Sequence, residues 1–193
     1  MRRWWSIGVG IVLFAGLWPE TAAGQLASRP AEDWIRTLES PARVAGLRID
    51  EVIGRLGLTP GDVVADLGAG SGLFAFPLAK AVGPGRVYAV ELDEGFLTHM
   101  RTKAKAEGVT NIVPVLGQFT DPSLPARDVD RYLKPRGRIV VIGLHPAQSP
   151  HRDQPEFIVS KEQATAWLAE AGFVPAEDIS LFDDKRFVVF RRR

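Results

Sequence analysis

The sequence contains no cysteine. That absence excludes a disulfide framework, thiolate metal sites, a cysteine nucleophile and attachment of a lipid through a terminal cysteine. Histidine is scarce. His99, His145 and His151 are the only three, and none stands at His-x-x-His or His-Glu-x-x-His spacing, so no metal site is expected. An excess of charge of either sign is also lacking. Lys and Arg number 24 against 23 Asp and Glu, for a formal net charge of +1. Nothing electrostatic therefore points to nucleic acid, whose partners usually carry a basic excess. There is no internal repeat and no low-complexity tract. At 193 residues, 46% hydrophobic and 24% charged, the chain has the size and composition of one globular domain, which excludes disordered and collagen-like classes.

Long apolar runs are few, and the longest lies at the N-terminus. Residues 2–24 read as an export signal. Arg2 and Arg3 give a positive start, Trp4 to Trp18 an apolar stretch, and Pro19-Glu20 a break. Ala22-Ala23-Gly24 then offers the small residues a signal peptidase needs. The stretch is shorter than the roughly 20 residues that span a bilayer as a helix. The expectation is an exported chain, periplasmic or secreted, with no stable membrane span after cleavage. Uncleaved, the same segment would anchor the protein by its N-terminus, its two arginines held in the cytoplasm. Cleavage after Gly24 would leave basic and acidic residues in balance.

Residues 25–58 form a helical lead-in. Trp34, Ile35 and Leu38 share one helix face, Pro41 opens a second stretch, and Val44, Leu47, Val52, Ile53 and Leu56 repeat near the helical period. Thr59-Pro60-Gly61 is a turn, and residues 59–193 form the main domain. There, strand-like runs alternate with helical patterns, which predicts an α/β fold: a mostly parallel sheet with helices on both faces. The strands are Val63–Leu67, Val87–Glu91, Ile112–Leu116 and Arg138–Leu144, with helices over about 73–82, Glu94–Glu107 and Lys161–Ala171. Pro114 inside the third strand predicts an edge position. Two final strands, near Val174–Leu181 and Arg186–Arg192, flank the turn-like Phe182–Lys185 and predict an antiparallel hairpin.

The informative segment is Asp66-Leu67-Gly68-Ala69-Gly70-Ser71-Gly72, at a strand end and opening a helix. Glycines there let the backbone turn tightly and let a ligand approach the chain, and the helix start offers free N–H groups. A dinucleotide fingerprint would place a third glycine where Leu73 stands. An acidic residue two places before the first glycine repels a pyrophosphate but suits a cation, such as an amino group or a sulfonium. That favours S-adenosylmethionine over NAD. Glu91, about twenty residues beyond the loop at the end of the next strand, can accept hydrogen bonds from both hydroxyls of a ribose. Gly117-Gln118-Phe119, past the third strand, places an amide and a ring where an adenine could rest.

The segments Val63–Gly72 and Val87–Glu91 together resemble the class I S-adenosylmethionine-dependent methyltransferases, in particular the ubiquinone- and menaquinone-biosynthesis type. The resemblance covers about residues 40–193. It implies a Rossmann-like fold with S-adenosyl-L-methionine as cofactor. Gly68, Gly70 and Gly72, with Ala69 and Ser71 between them, would line its methionine portion. Asp66 would lie near the amino group, Glu91 would hold the ribose, Leu92 would pack on the adenosine, and Gln118 and Phe119 would sit near the adenine. No side-chain nucleophile is required for the transfer, and none is identified.

Members of that family carry a fourth strand and its helix between the third and fifth strands. Here only residues 117–137 separate Leu116 from Arg138, and they include Pro122, Pro125 and Pro135. One parallel crossover of a dozen or more residues fits in that length, but a crossover, a central strand and a further helix do not. Ser123–Asp130 reads as the lead-in to a fourth strand and passes directly into Arg131–Gly137, the turn before a fifth. The fourth strand and following helix are therefore expected to be missing. Two functions follow: methyl transfer to a small-molecule acceptor, or a relative without catalysis, either binding the cofactor only or inactive through truncation. His145 follows a buried strand and could reach the cleft, but loop histidines more often only satisfy local hydrogen bonds. His151 and Arg191–Arg193 read as solvated, and Trp34 and Trp167 as packing residues.

Overall fold

The computed structural model describes residues 7–12 (backbone), 30–117, 133–145, 147 and 159–193. Gln118, Phe119, His151, the 123–132 seam and the Ala22–Gly24 cleavage site lie outside them.

In chain order the elements are β1 (Ile7–Val12), α1 (Ala31–Leu38), α2 (Pro41–Leu47), α3 (Ile49–Leu56), β2 (Val63–Leu67), α4 (Ala75–Val82) and β3 (Arg86–Glu91). They continue with α5 (Glu94–Glu107), β4 (Ile112–Leu116), β5 (Leu133–Leu144), α6 (Lys161–Glu170), β6 (Phe173–Asp178) and β7 (Lys185–Arg192). The strands form a single seven-stranded sheet in the order β4-β3-β2-β1-β5-β7-β6. Its first five strands are parallel, and β7 runs antiparallel to β5 and β6. The β6–β7 hairpin and the edge position of Pro114 in β4 are as the sequence predicts.

Local chemistry explains the element ends. Asp93 caps α5, its Oδ1 accepting from the Gly95 N–H at 2.6 Å, and Gly108 closes the same helix in the left-handed region. Ser160 caps α6 by accepting from the Gln163 N–H at 3.1 Å. Strand β2 is buried along Val63–Asp66 and alternates between faces, as a central strand covered on both sides must. Val64 joins the larger core, in which Val52, Leu56, Leu78, Val82, Leu97 and Met100 from α3, α4 and α5 meet Val87, Val140, Ile142, Phe187 and Val189. On the opposite face Leu168 of α6 packs with Ile139, Val141, Phe173, Val188 and Phe190, while Val63 and Ala65 pack with Leu67 and Tyr88.

Two differences from expectation concern the middle of the sheet. Strand β5 begins at Leu133, ahead of the expected Arg138. Pro135 and Gly137 interrupt the apolar run, and the pairing with β1 shifts register across that stretch. A Cβ at Gly137 would lie 2.5 Å from Leu133 Cγ, so the chain folds back tightly there and continues the strand. The second difference is the fourth strand. Between β4 and β5 only Gly117 is described, so the expected loss of a strand there falls outside the described residues. The place in the sheet is nevertheless filled. Strand β1 runs parallel to β2 on one side and to β5 on the other, with Val9–Val12 opposite Val64–Leu67 and also opposite Arg138–Val141. The apolar run that reads as an export signal thus also has a position in the sheet. No described helix is long and apolar enough to cross a membrane.

Leu78 lies at the centre of α4 with no exposed surface, whereas Leu116, on the edge strand, is 54% exposed. Leu78→Ala should lower the unfolding free energy by about 2–5 kcal/mol in urea titrations. Leu116→Ala should stay within about 0.5 kcal/mol of the parent.

Candidate functional site

The site lies at the carboxyl ends of β2 and β3. Strand β2 ends in Asp66-Leu67, and the chain then turns through Gly68 (φ 74°), Gly70 (φ 53°) and Gly72 (φ 87°) before α4. These left-handed conformations are the reason glycine recurs at alternate positions. The loop is tied to the neighbouring strand: the Gly68 and Ala69 N–H groups both donate to the Val90 carbonyl, at 2.9 and 3.0 Å. It is closed by the Gly72 N–H donating to the Ala69 carbonyl at 2.8 Å. A Cβ at Gly72 would stand 2.9 Å from the Phe76 ring and 3.1 Å from Met100 Cγ, so the core also excludes a side chain there.

Asp66 is fully buried, and neither carboxylate oxygen has a hydrogen-bond partner. Burial, with a smaller contribution from the nearby Glu91 carboxylate, raises its pKa to about 7. Ser71 is 1% exposed, and its Oγ is likewise without a partner. Asp66 and Ser71, on either side of Gly68 and Gly70, thus carry three orphaned oxygens. Buried polar atoms are usually satisfied, and a dry, bare carboxylate is among the costlier groups a fold can hold. A group supplying positive charge and N–H donors would satisfy it.

Glu91 is half-buried at the end of β3. Its Oε2 accepts from the Gly70 N–H and its Oε1 from the Leu92 N–H, both at 2.7 Å. The strand-end carboxylate is thus fixed against the glycine loop by backbone donors, an arrangement invisible to sequence reasoning. A carboxylate has about four lone-pair positions, so each oxygen keeps capacity for a further donor. Leu92 is 40% exposed beside it. Past β4, the Gly117 N–H donates to the Glu91 carbonyl at 2.8 Å. Gln118 and Phe119, which follow, lie outside the described residues. His145 is exposed, its N–H donating to the Asp184 carbonyl at 2.8 Å.

Sequence reasoning missed the position of α1. A Cβ at Gly70 would approach Leu38 Cδ1 to 3.3 Å, and one at Gly95 would meet the Ala31 methyl at 2.5 Å. Helix α1 therefore crosses above the glycine loop and the start of α5. Beyond its end, Glu39 lies 3.4 Å from His99 Nε2 and 3.9 Å from Lys103 Nζ on α5. The spacing of Trp34, Ile35 and Leu38 marks an apolar face but carries no information on where it docks.

Residues 64–139 match the family model described as a methyltransferase domain. Over that stretch, and in its fold, the chain is similar to the class I S-adenosylmethionine-dependent methyltransferases. S-Adenosylmethionine is the cofactor of that family. A crystal structure of an S-adenosylmethionine-dependent methyltransferase from Aquifex aeolicus has the same fold, with a TM-score of 0.72 at 20% identity over 84% of this chain and 97% of that one. An arginine N(omega)-methyltransferase from Streptomyces achromogenes is 34% identical over 73 residues, which is 38% of this chain and 20% of that protein. A nocamycin O-methyltransferase from Saccharothrix syringae is 29% identical over 113 residues, 47% of this chain and 40% of that protein. The chain spans less than half the length of the curated relatives it matches.

Two outcomes follow from this geometry. Gly72→Ala forces a side chain onto a left-handed backbone and into Phe76. It should cost about 1–3 kcal/mol in thermal or urea unfolding. Asp66 gives a pH dependence of defined sign. The folded chain holds this proton up to about pH 7, whereas an unfolded aspartate releases it near pH 4. Stability therefore falls as pH rises from about 4 to 7, and the penalty is complete above that range. Asp66→Asn removes it, so the variant should be more stable than the parent at pH 8, by at most about 4 kcal/mol. The difference between the two should shrink towards pH 4 in denaturant titrations at stepped pH.

Proposed function

We propose that the protein binds S-adenosylmethionine across the Gly68–Gly72 loop and directs methyl transfer to a small-molecule acceptor at the carboxyl end of the sheet. The observation that carries this reading is the buried Asp66 carboxylate, with both oxygens unpartnered beside a turn free of side chains. Asp66 would hold the amino group of the cofactor. The glycine turn would let the methionine portion lie against the backbone, with Ser71 Oγ in hydrogen-bond reach. Glu91, already fixed by the Gly70 and Leu92 N–H groups, would accept from the ribose hydroxyls. Leu92 would pack on the adenosine, with Gln118 and Phe119 near the adenine.

The bound cofactor supplies an electrophilic methyl on a good leaving group. The protein's own part is then to orient and exclude water, since proximity and in-line alignment provide most of the acceleration in such transfers. Helix α1, seated over the loop by Leu38, is placed to shield this end of the site. A small-molecule acceptor is supported by the resemblance to the nocamycin O-methyltransferase, whereas the relative named a protein-L-isoaspartate O-methyltransferase favours a protein acceptor.

Binding a cation at Asp66 would ionise it, so the ligand and a proton compete for the same carboxylate. S-Adenosylhomocysteine, which keeps the amino group, should raise the unfolding temperature of the parent. Asp66→Ala and Glu91→Ala should each abolish that shift. An unchanged shift in both variants overturns the site. The dissociation constant should weaken by close to tenfold per unit as pH is lowered below about 7. Calorimetry near pH 6 should show release of up to one proton as a buffer-dependent heat. Transfer of a radiolabelled methyl from S-adenosylmethionine into small molecules of a cell extract then separates an enzyme from a binder.

A further inference from the structure

The connection between β4 and β5 is too short for a crossover, a central strand and a further helix, yet β5 does not pair with β2. It lies one strand away, and β1 occupies the interval. Strand β1 pairs with β2 at Val9↔Val64, Gly10↔Ala65, Ile11↔Asp66 and Val12↔Leu67. It pairs with β5 at Val9↔Arg138, Gly10↔Ile139, Ile11↔Val140 and Val12↔Val141. Every residue of Ile7–Val12 is isoleucine, valine or glycine. That composition suits a central parallel strand covered on both faces. It equally suits the apolar core of an export signal, so the two readings share one stretch of sequence. Once paired on both sides inside the folded sheet, the segment is no longer open to a translocon or a signal peptidase.

We infer that residues 7–12 are a permanent strand of the folded protein, standing in for the absent fourth strand, and that the cofactor site exists only while the N-terminus is retained. The link to the site is direct. Ile11 is the register partner of Asp66, and Val12 that of Leu67. Strand β1 therefore fixes the strand that carries the buried carboxylate, on the side away from β3. Without it, β2 and β5 would each present an unpaired inner edge, and Asp66 would stand at the margin of a two-part sheet. Cleavage after Gly24 would switch the site off. The clause on the cofactor rests on the binding proposed above, while the clause on the strand does not.

Three chains test the inference: the full chain, a chain beginning at Gln25, and the full chain carrying Gly10→Pro with Ile11→Pro. Consecutive amides of a strand face opposite neighbours, so the paired substitution removes a donor from each ladder. The measurements are hydrogen-exchange protection of the Val64, Ala65, Ile139 and Val140 amides, and the unfolding-temperature shift with S-adenosylhomocysteine. The full chain should protect those amides and show the shift, and the other two chains should lose the shift and the protection of whichever amide of each consecutive pair faces β1. A synthetic peptide of residues 4–14, added in excess to the chain beginning at Gln25, should restore both. Equal protection and an equal unfolding temperature in the shortened and full chains overturn the inference. So does a failure of the peptide to rescue a shortened chain that remains soluble. If the protection pattern holds while no chain shifts with S-adenosylhomocysteine, the strand stands and the cofactor reading falls. Mass spectrometry of the folded protein from its native cells should find peptides that cover residues 7–12, and a folded chain starting at Gln25 would contradict it.

Discussion

A fully buried carboxylate with no hydrogen-bond partner among the described residues governs this structure. Asp66 stands at the tip of β2, buried by the loop that follows it and by the strands on either side. A fold gains nothing in stability by holding such a group bare. The surrounding elements nonetheless keep it dry. The glycine turn leads the chain away without placing a side chain over it, the Gly68 and Ala69 amides commit to Val90 rather than to the aspartate, and Glu91 is held nearby by other backbone donors. The arrangement is a stored electrostatic demand, which a cation of the right shape would relieve. Stability and binding are thus opposed at this one side chain: replacing it with a neutral residue steadies the empty fold and removes the reason for the ligand to enter.

Much of the scaffold was legible because its signals were local. Helix α5 carries its cap at Asp93 and its stop at Gly108, so its observed ends coincide with the expected Glu94 and Glu107. Pro114 cannot donate to a second neighbour, and β4 lies at the edge. The two-sided apolar character of β2 placed it inside a parallel sheet. The start of β5 was not legible, because Pro135 and Gly137 break the pattern that Leu133 resumes through a backbone fold visible only in three dimensions.

At the site, residue types were readable and their environment was not. An aspartate before a glycine turn suggests attraction for a cation, but the charge state of that aspartate depends on how dry it is. Burial sets that property, and burial arises from elements distant in sequence. The same holds for Glu91. Its position at a strand end follows from the alternation of strands and helices, but its contacts with Gly70 and Leu92 depend on how β3 meets the loop after β2. Leu38 gave no hint of lying over Gly70, since an amphipathic helix face announces that it will be covered without specifying by what.

The N-terminal run shows the limit of composition most clearly. Ile-Gly-Val-Gly-Ile-Val satisfies an export signal and a buried parallel strand equally well, because both are solutions to the same problem of placing backbone in an apolar setting. What separates them is pairing, and pairing is decided by whether a slot is open elsewhere in the chain. Here the short connection after β4 leaves such a slot beside the strand that bears Asp66. The dryness that raises this carboxylate's pKa then depends on the slot being filled. At an exposed sheet margin Asp66 would be hydrated, its pKa would return toward the ordinary carboxylate range, and its pull on a bound cation would be screened by water. The short connection after β4, the apolar N-terminus and the chemistry proposed for the glycine loop are in that sense one physical problem, met by placing β1 between β2 and β5.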